Sequence, residues 1–177
     1  KMLVRSTLLR RHPSVLMNAI NPIKRTMSML YDLSSMPISY RNQSESSQIV
    51  RGIDKIVHQY CFLYGDPIST AIKLTAIDPD CALAHISIGL FYCIGQSVPL
   101  SDKLIVNSLK EANRIIESGI ASERDRAFRD ALDFISQGQW RFGANELERW
   151  LARNPKDLYA LKLCTDSYLF VGDVSGI

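Results

Sequence analysis

Between residues 48 and 172 the chain is cut at intervals by Gly, Pro and Asp, and between the cuts its apolar residues recur every three or four positions. That spacing is the mark of helices with one buried face, and no stretch alternates in twos as a strand would. Ile49, Ile53, Ile56, Val57, Tyr60 and Phe62 outline a first helix ending near Gly65. Asp66-Pro67 then restarts the chain, with Asp in the capping position and Pro at the first helical one. A short second helix runs to Asp78-Pro79-Asp80, and Asp80 is placed to cap a third carrying Leu83, Ile86, Leu90, Phe91 and Ile94 up to Gly95. Ser101 is placed to cap a fourth helix with Leu104, Ile105, Leu109, Ala112, Ile115 and Ile116, which Gly119 ends. Ser122 and Asp125 open a fifth in the manner of a capping box, and it carries Ala127, Phe128, Ala131, Leu132 and Ile135 before Gly138. The sixth holds Trp140, Ala144, Leu147, Trp150 and Leu151 and stops at Asn154-Pro155. The seventh carries Leu158, Leu161, Leu163, Tyr168 and Leu169 up to Gly172-Asp173. The expectation is an all-α fold of about seven helices in antiparallel pairs, with Leu109, Ile116, Phe128, Leu132, Leu147 and Trp150 in the shared core.

The intervals convert this list into an architecture. The first helices of successive pairs open near residues 48, 81, 123 and 157, which leaves gaps of 33, 42 and 34. A period near 34 is that of the tetratricopeptide repeat, a helix–turn–helix unit that stacks into a solenoid. The longer gap is accounted for by the loop over residues 97–103 and a longer fourth helix. Gly143 is expected where the fifth and sixth helices touch, because only a small residue lets two backbones approach closely. Ala131 and Phe134 fill the small and aromatic positions of the first helix of that unit, and Ile88-Gly89 followed by Tyr92 gives the same core in the preceding one.

At this level of detail the chain resembles the tetratricopeptide repeat protein 38 family. The resemblance is carried by Ile77-Asp78-Pro79-Asp80, Ala84-His85, Gly89-Leu90, Ile94-Gly95, Ser122-Glu123-Arg124-Asp125, Phe134 with Gly138-Gln139-Trp140, and Leu147-Glu148-Arg149-Trp150. The run Asn154-Pro155-Lys156-Asp157-Leu158-Tyr159-Ala160-Leu161-Lys162, followed by Asp166, Tyr168-Leu169-Phe170 and Gly172, is the most specific part. It covers roughly residues 48–173, implies a helical repeat fold and points to no catalytic residue.

Ahead of this domain, over residues 48–177, lies a different kind of sequence. Residues 1–41 hold Lys1, Arg5, Arg10, Arg11, Lys24, Arg25 and Arg41 against the single acid Asp32, whereas the remainder holds 14 basic and 17 acidic residues. Leu3, Val4, Leu8 and Leu9 interleave with the arginines, as in a mitochondrial targeting segment. Pro13, Pro22 and Pro37 break any helix there, and the serine-rich residues 39–47 form a polar linker. Residues 1–47 are therefore expected to be an irregular basic arm. Arg5, Arg10, Arg11, Lys24 and Arg25 are its candidate contacts to acidic side chains, lipid headgroups or phosphates.

Little in the chain suggests chemistry. No nucleophile-elbow, phosphate-loop, dinucleotide or HExxH motif is present, so neither catalysis nor a cofactor is expected. Cys81 and His85 are four apart on one helix, but a zinc site wants four ligands and no second pair stands nearby, so no metal is expected. His58 is four residues after Asp54, the spacing of a surface ion pair. Cys61, Cys81, Cys93 and Cys164 form no CxxC pair and read as buried free thiols in a reducing compartment. The charged run Glu123, Arg124, Asp125, Arg126, Arg129, Asp130 and Asp133 reads as a solvated salt-bridge face, with pairs four apart. Nucleic acid is disfavoured, since the repeat region is net acidic. No apolar run is long enough to span a bilayer.

What remains is docking to other proteins. Leu161, Leu169 and Phe170 approach the last turn with no helix after them to cover them, so that end is expected to be capped by the arm or by a partner. The favoured expectation is a structural accessory subunit of a mitochondrial complex, in the matrix or at the inner membrane, of respiratory-chain or ATP synthase type before ribosomal. The alternative is a free adaptor, cytoplasmic or mitochondrial, that takes a client peptide or helix in its concave groove.

Overall fold

Ser122 begins a helix in the way its neighbours dictate: its hydroxyl accepts from the Asp125 N–H, while the Asp125 carboxylate accepts from the Ser122 N–H at 2.9 Å. The computed structural model describes residues 46–95 and 101–173. Every regular element among the described residues is an α-helix, and there are seven. They are α1 (Ser46–Cys61), α2 (Pro67–Ile77), α3 (Ala82–Gly95), α4 (Lys103–Glu117), α5 (Glu123–Ser136), α6 (Trp140–Leu151) and α7 (Leu158–Phe170). None is long and apolar enough to cross a membrane.

Asp66 caps α2 as its spacing predicts, accepting from the Ser69 N–H at 3.0 Å with Pro67 at the first turn. Two other caps differ from expectation. The fourth helix is capped by Asp102, whose carboxylate accepts from the Leu104 N–H at 2.8 Å, and not by Ser101. Asp80 does not open α3. That helix starts at Ala82, with the Cys81 carbonyl accepting its first bonds, and Asp80 instead pairs with Arg114 at 2.9 Å.

Consecutive helices are joined by short connections and pack on one another as hairpins, giving a repeat-like stack. Gly143 sits where the hairpin of α5 and α6 is tightest: a Cβ there would lie 2.6 Å from Ile135 Cγ1 and 3.0 Å from the Ala131 carbonyl oxygen. The expectation of a small residue at that crossing holds. Helix α3 is apolar on nearly every side and packs against α2, α4 and α5, which makes it the central rod. Phe128, Leu132, Leu147 and Trp150 are buried as expected. Leu109 and Ile116 are only half-buried. Leu109 lines an open groove of about 560 Å³ with Ile105, Val106 and Asn113 of α4 and Ser136 of α5.

Candidate partner interface

The position of α7 is set by a carboxylate. Asp157 lies at its N-cap and is fully buried, an arrangement tolerable only if both oxygens are satisfied. They are. Oδ2 accepts from Arg124 Nε at 2.7 Å and from the Trp150 indole N–H at 2.8 Å; Oδ1 accepts from Arg124 Nη2 at 2.9 Å and from the Ala160 N–H at 3.2 Å. One side chain thus ties α5, α6 and α7 together. This corrects the reading of residues 123–133 as a solvated face, because Arg124 and Asp125 are fully buried. Arg129 pairs with Asp130 at 2.8 Å and donates to Asn113 at 2.7 Å, so the pairing is not the expected four-apart ladder. The partner of Arg124 is 33 residues away, and no local pattern can announce it.

Beyond Asp157 the inner side of α7 is a meeting point. The Tyr159 ring is fully buried, lies 5.2 Å from Phe128 and 5.8 Å from Tyr60, and its hydroxyl bonds Ser87 at 2.9 Å. Residues of α1, α3, α5 and α7 therefore converge on one aromatic cluster. A second polar group closes it: the Tyr60 hydroxyl donates to Asp166, and Lys162 Nζ reaches both Asp166 oxygens at 2.5 and 2.6 Å. Burial, and then the Asp166 carboxylate, push the Tyr60 phenol well above its ordinary value, so it stays a donor. The first and last described helices are clasped directly.

Among the described residues nothing packs on the outer side of α7. Leu161 is 48% exposed, Leu169 57% and Phe170 52%. They do not form one patch. At 3.6 residues per turn Leu161 and Leu169 fall about 80° apart, whereas Phe170 is about 180° from Leu161. Phe170 stacks on Trp140 of α6, with centroids 4.4 Å apart and planes within 9°. The stripe left over is Leu161, half-buried Thr165 and Leu169.

A further apolar feature went unread. Phe62, Leu63 and Tyr64 follow the end of α1 and are 45%, 81% and 53% exposed. Phe62 therefore does not belong to the buried face of the first helix, where its spacing placed it. Leu63 holds a φ of 52°, in the left-handed region that branched side chains avoid. Three consecutive large apolar residues before a glycine were the signal available. Leu63 forms the lip of a cavity of about 600 Å³ whose walls include Tyr60, Pro67, Ile68, Phe91 and Asp166.

The titratable groups singled out in sequence have ordinary occupations. His85 places Nε2 3.0 Å from the Pro79 carbonyl oxygen, and burial lowers its pKa below the usual 6.5. Cys81 is buried, its thiol pushed up to about 12 by desolvation; Cys93 rises to about 12, and Cys61 and Cys164 to about 11, for the same reason. All four are free thiols. His58 faces Asp54 at 3.6 Å and stacks on Phe62. The arm contacts Arg5, Arg10, Arg11, Lys24 and Arg25 lie outside the described residues.

No protein-family model matches the chain, and no solved structure matches it.

Proposed function

We propose that the chain is a non-catalytic protein–protein interaction module, a tetratricopeptide-like accessory subunit held in a mitochondrial multi-protein assembly. The observation that carries this reading is the bare outer stripe of α7, with Leu161 and Leu169 about half exposed on a helix whose other sides are packed. A contiguous stripe of exposed apolar side chains marks a surface that docks against another. The basic composition of residues 1–41 supplies the mitochondrial part of the proposal, and offers lipid headgroups as a second contact. The resemblance to the tetratricopeptide repeat protein 38 family over residues 48–173 is in keeping with a role in binding.

The competing adaptor reading needs an open concave groove. The first helices of the pairs instead meet around Tyr159, and Tyr60 is bonded to Asp166 across the gap. A client helix entering there would have to part α1 from α7.

Replacing Leu161 and Leu169 together by Asp tests the proposal, because both side chains point away from the buried face. On native gels of mitochondrial extract the wild-type chain is expected in a band far above its own 20.0 kDa, and the double variant is expected to leave that band. A wild-type chain that migrates alone, or that is absent from mitochondria, would overturn it.

A further inference from the structure

Helix α1 reaches across the stack as well as along it. It pairs with α2, and its last turn then lands on α3 and α7. Tyr60 makes the landing: its ring lies 4.9 Å from Phe91 and 5.8 Å from Tyr159, and its hydroxyl donates to Asp166. Cys61 follows, with Sγ 4.0 Å from the Leu158 carbonyl oxygen. All three rings are buried, so the end of α1 shields an aromatic floor that α3 and α7 present.

Two features set this seat apart from the other helix contacts. It is incompletely filled: the cavity of about 600 Å³ bounded by Tyr60, Phe91, Ile94 and Asp166 lies beside it, where a close-packed interior leaves no such void. Its polar lock also reaches water, through a Lys162 side chain that is 28% exposed. The grip of α1 on α2 is of the opposite kind. A Cβ at Gly52 would lie 2.3 Å from Leu74 Cδ2, and the Thr70 hydroxyl donates to Gln59 Oε1 at 2.8 Å. The connection after α2 is pinned in turn, with the Pro79 carbonyl oxygen 3.0 Å from His85 Nε2 of α3 and 3.3 Å from Arg114 Nη2 of α4. The α1–α2 hairpin is thus one body, fixed at its far end and latched at its near end.

We infer that α1 is an autoinhibitory helix: it occupies, within its own chain, the inner face of α3, α5 and α7, and frees that face when Tyr60 leaves Asp166. The inference rests on the reading of the chain as an interaction module and deepens it by adding a closed and an open state. Inner faces are the ones that stacked helices use for binding, and this one carries Phe91, Phe128, Tyr159, the Ser87 hydroxyl and Asp166. Buried rings ringed by a few fixed polar groups are where binding energy concentrates once they are accessible.

A thiol reagent on the full chain reads the motion, because Cys61 rides on α1 whereas Cys81 is fully buried at the foot of α3. Tyr60→Phe is expected to raise the rate of N-ethylmaleimide reaction at Cys61 at least tenfold, with Cys81 and the circular dichroism unchanged. The fluorescence of an anilinonaphthalene sulfonate dye should rise in the same sample as the floor is uncovered. Lys162→Met takes away only the outer side of the latch and should move both readouts the same way by a smaller factor. Equal acceleration at Cys61 and Cys81 would show the whole stack unfolding, and a Cys61 rate indifferent to both variants would show a latch that never opens. Either result overturns the inference, as does faster Cys61 reaction with no rise in dye fluorescence. The interaction-module reading fails separately, through a wild-type chain that never co-migrates with other proteins.

Discussion

Two carboxylates hold α7 in place, and they do so in opposite ways. Asp157 sits at the start of the helix, fully buried, with two donors on each oxygen. Asp166 sits about two and a half turns later and is also buried, but its lysine partner keeps 28% of its side chain in water. Removing a charge from a sealed pair strands the other charge, whereas a partly exposed ammonium can turn to solvent. The first junction is therefore part of the fold's foundation, and the second is a clasp that can open by itself. The α5–α7 half should behave as a rigid block to which the α1–α2 hairpin is fastened.

Breaking the sealed junction should have the largest effect. Asp157→Ala leaves the fully buried Arg124 guanidinium without its carboxylate and is expected to cost about 3–5 kcal/mol. Urea denaturation measures it, and a loss under 1 kcal/mol would mean that Arg124 finds water. Trp150→Ala should cost a similar amount, about 3–5 kcal/mol, because it removes a core ring and a donor to Asp157 together. Trp150→Phe separates the two parts, retaining most of the ring's bulk while removing the N–H, for about 1–3 kcal/mol.

The clasp should respond more weakly and more locally. Tyr60→Phe removes the hydroxyl bonded to Asp166 and is expected to cost about 1–2 kcal/mol. The sharper readout is amide exchange: protection should fall in α1 and α2 while α5, α6 and α7 keep theirs. Uniform loss across all seven helices would show that the two halves unfold as one.

The smallest effect is expected from His85, which belongs to neither junction. Its folded pKa is depressed, chiefly by burial, so the unfolded chain binds the proton more tightly. The stability this contributes is fully present above the ordinary value of 6.5 and is lost as pH falls from there through the folded value. The unfolding midpoint should decline on acidification through that window, and His85→Gln should flatten the decline. A midpoint that rises on acidification would reverse the sign.

The legible parts of this fold were those written locally. Asp66-Pro67, Ser122 with Asp125, and the glycines at 65, 119, 138 and 172 each act within four residues of their own position, so the helix boundaries followed from short strings. The Arg124–Asp157 junction was illegible because its members are a full repeat apart, and Arg124 sits among acids that make a surface ladder equally reasonable. Leu109 and Ile116 were misjudged because periodicity identifies an apolar side of α4 without saying how far a neighbour covers it. The clasp joins residues 106 apart, a distance at which pattern carries no information at all.

Leu63 places an unusual demand on the backbone that bears it. A left-handed φ is a glycine's conformation, and an L side chain raises its energy by about 1–2 kcal/mol. At 81% exposure the isobutyl group returns almost none of that through packing. Trading a leucine for glycine ordinarily weakens a protein. At this position the relief of strain should offset the roughly 0.5–1 kcal/mol of chain entropy that glycine adds to the unfolded state. Leu63→Gly should therefore melt no lower than the parent, which would make this leucine an ornament to folding: a greasy tip that the fold carries without drawing stability from it.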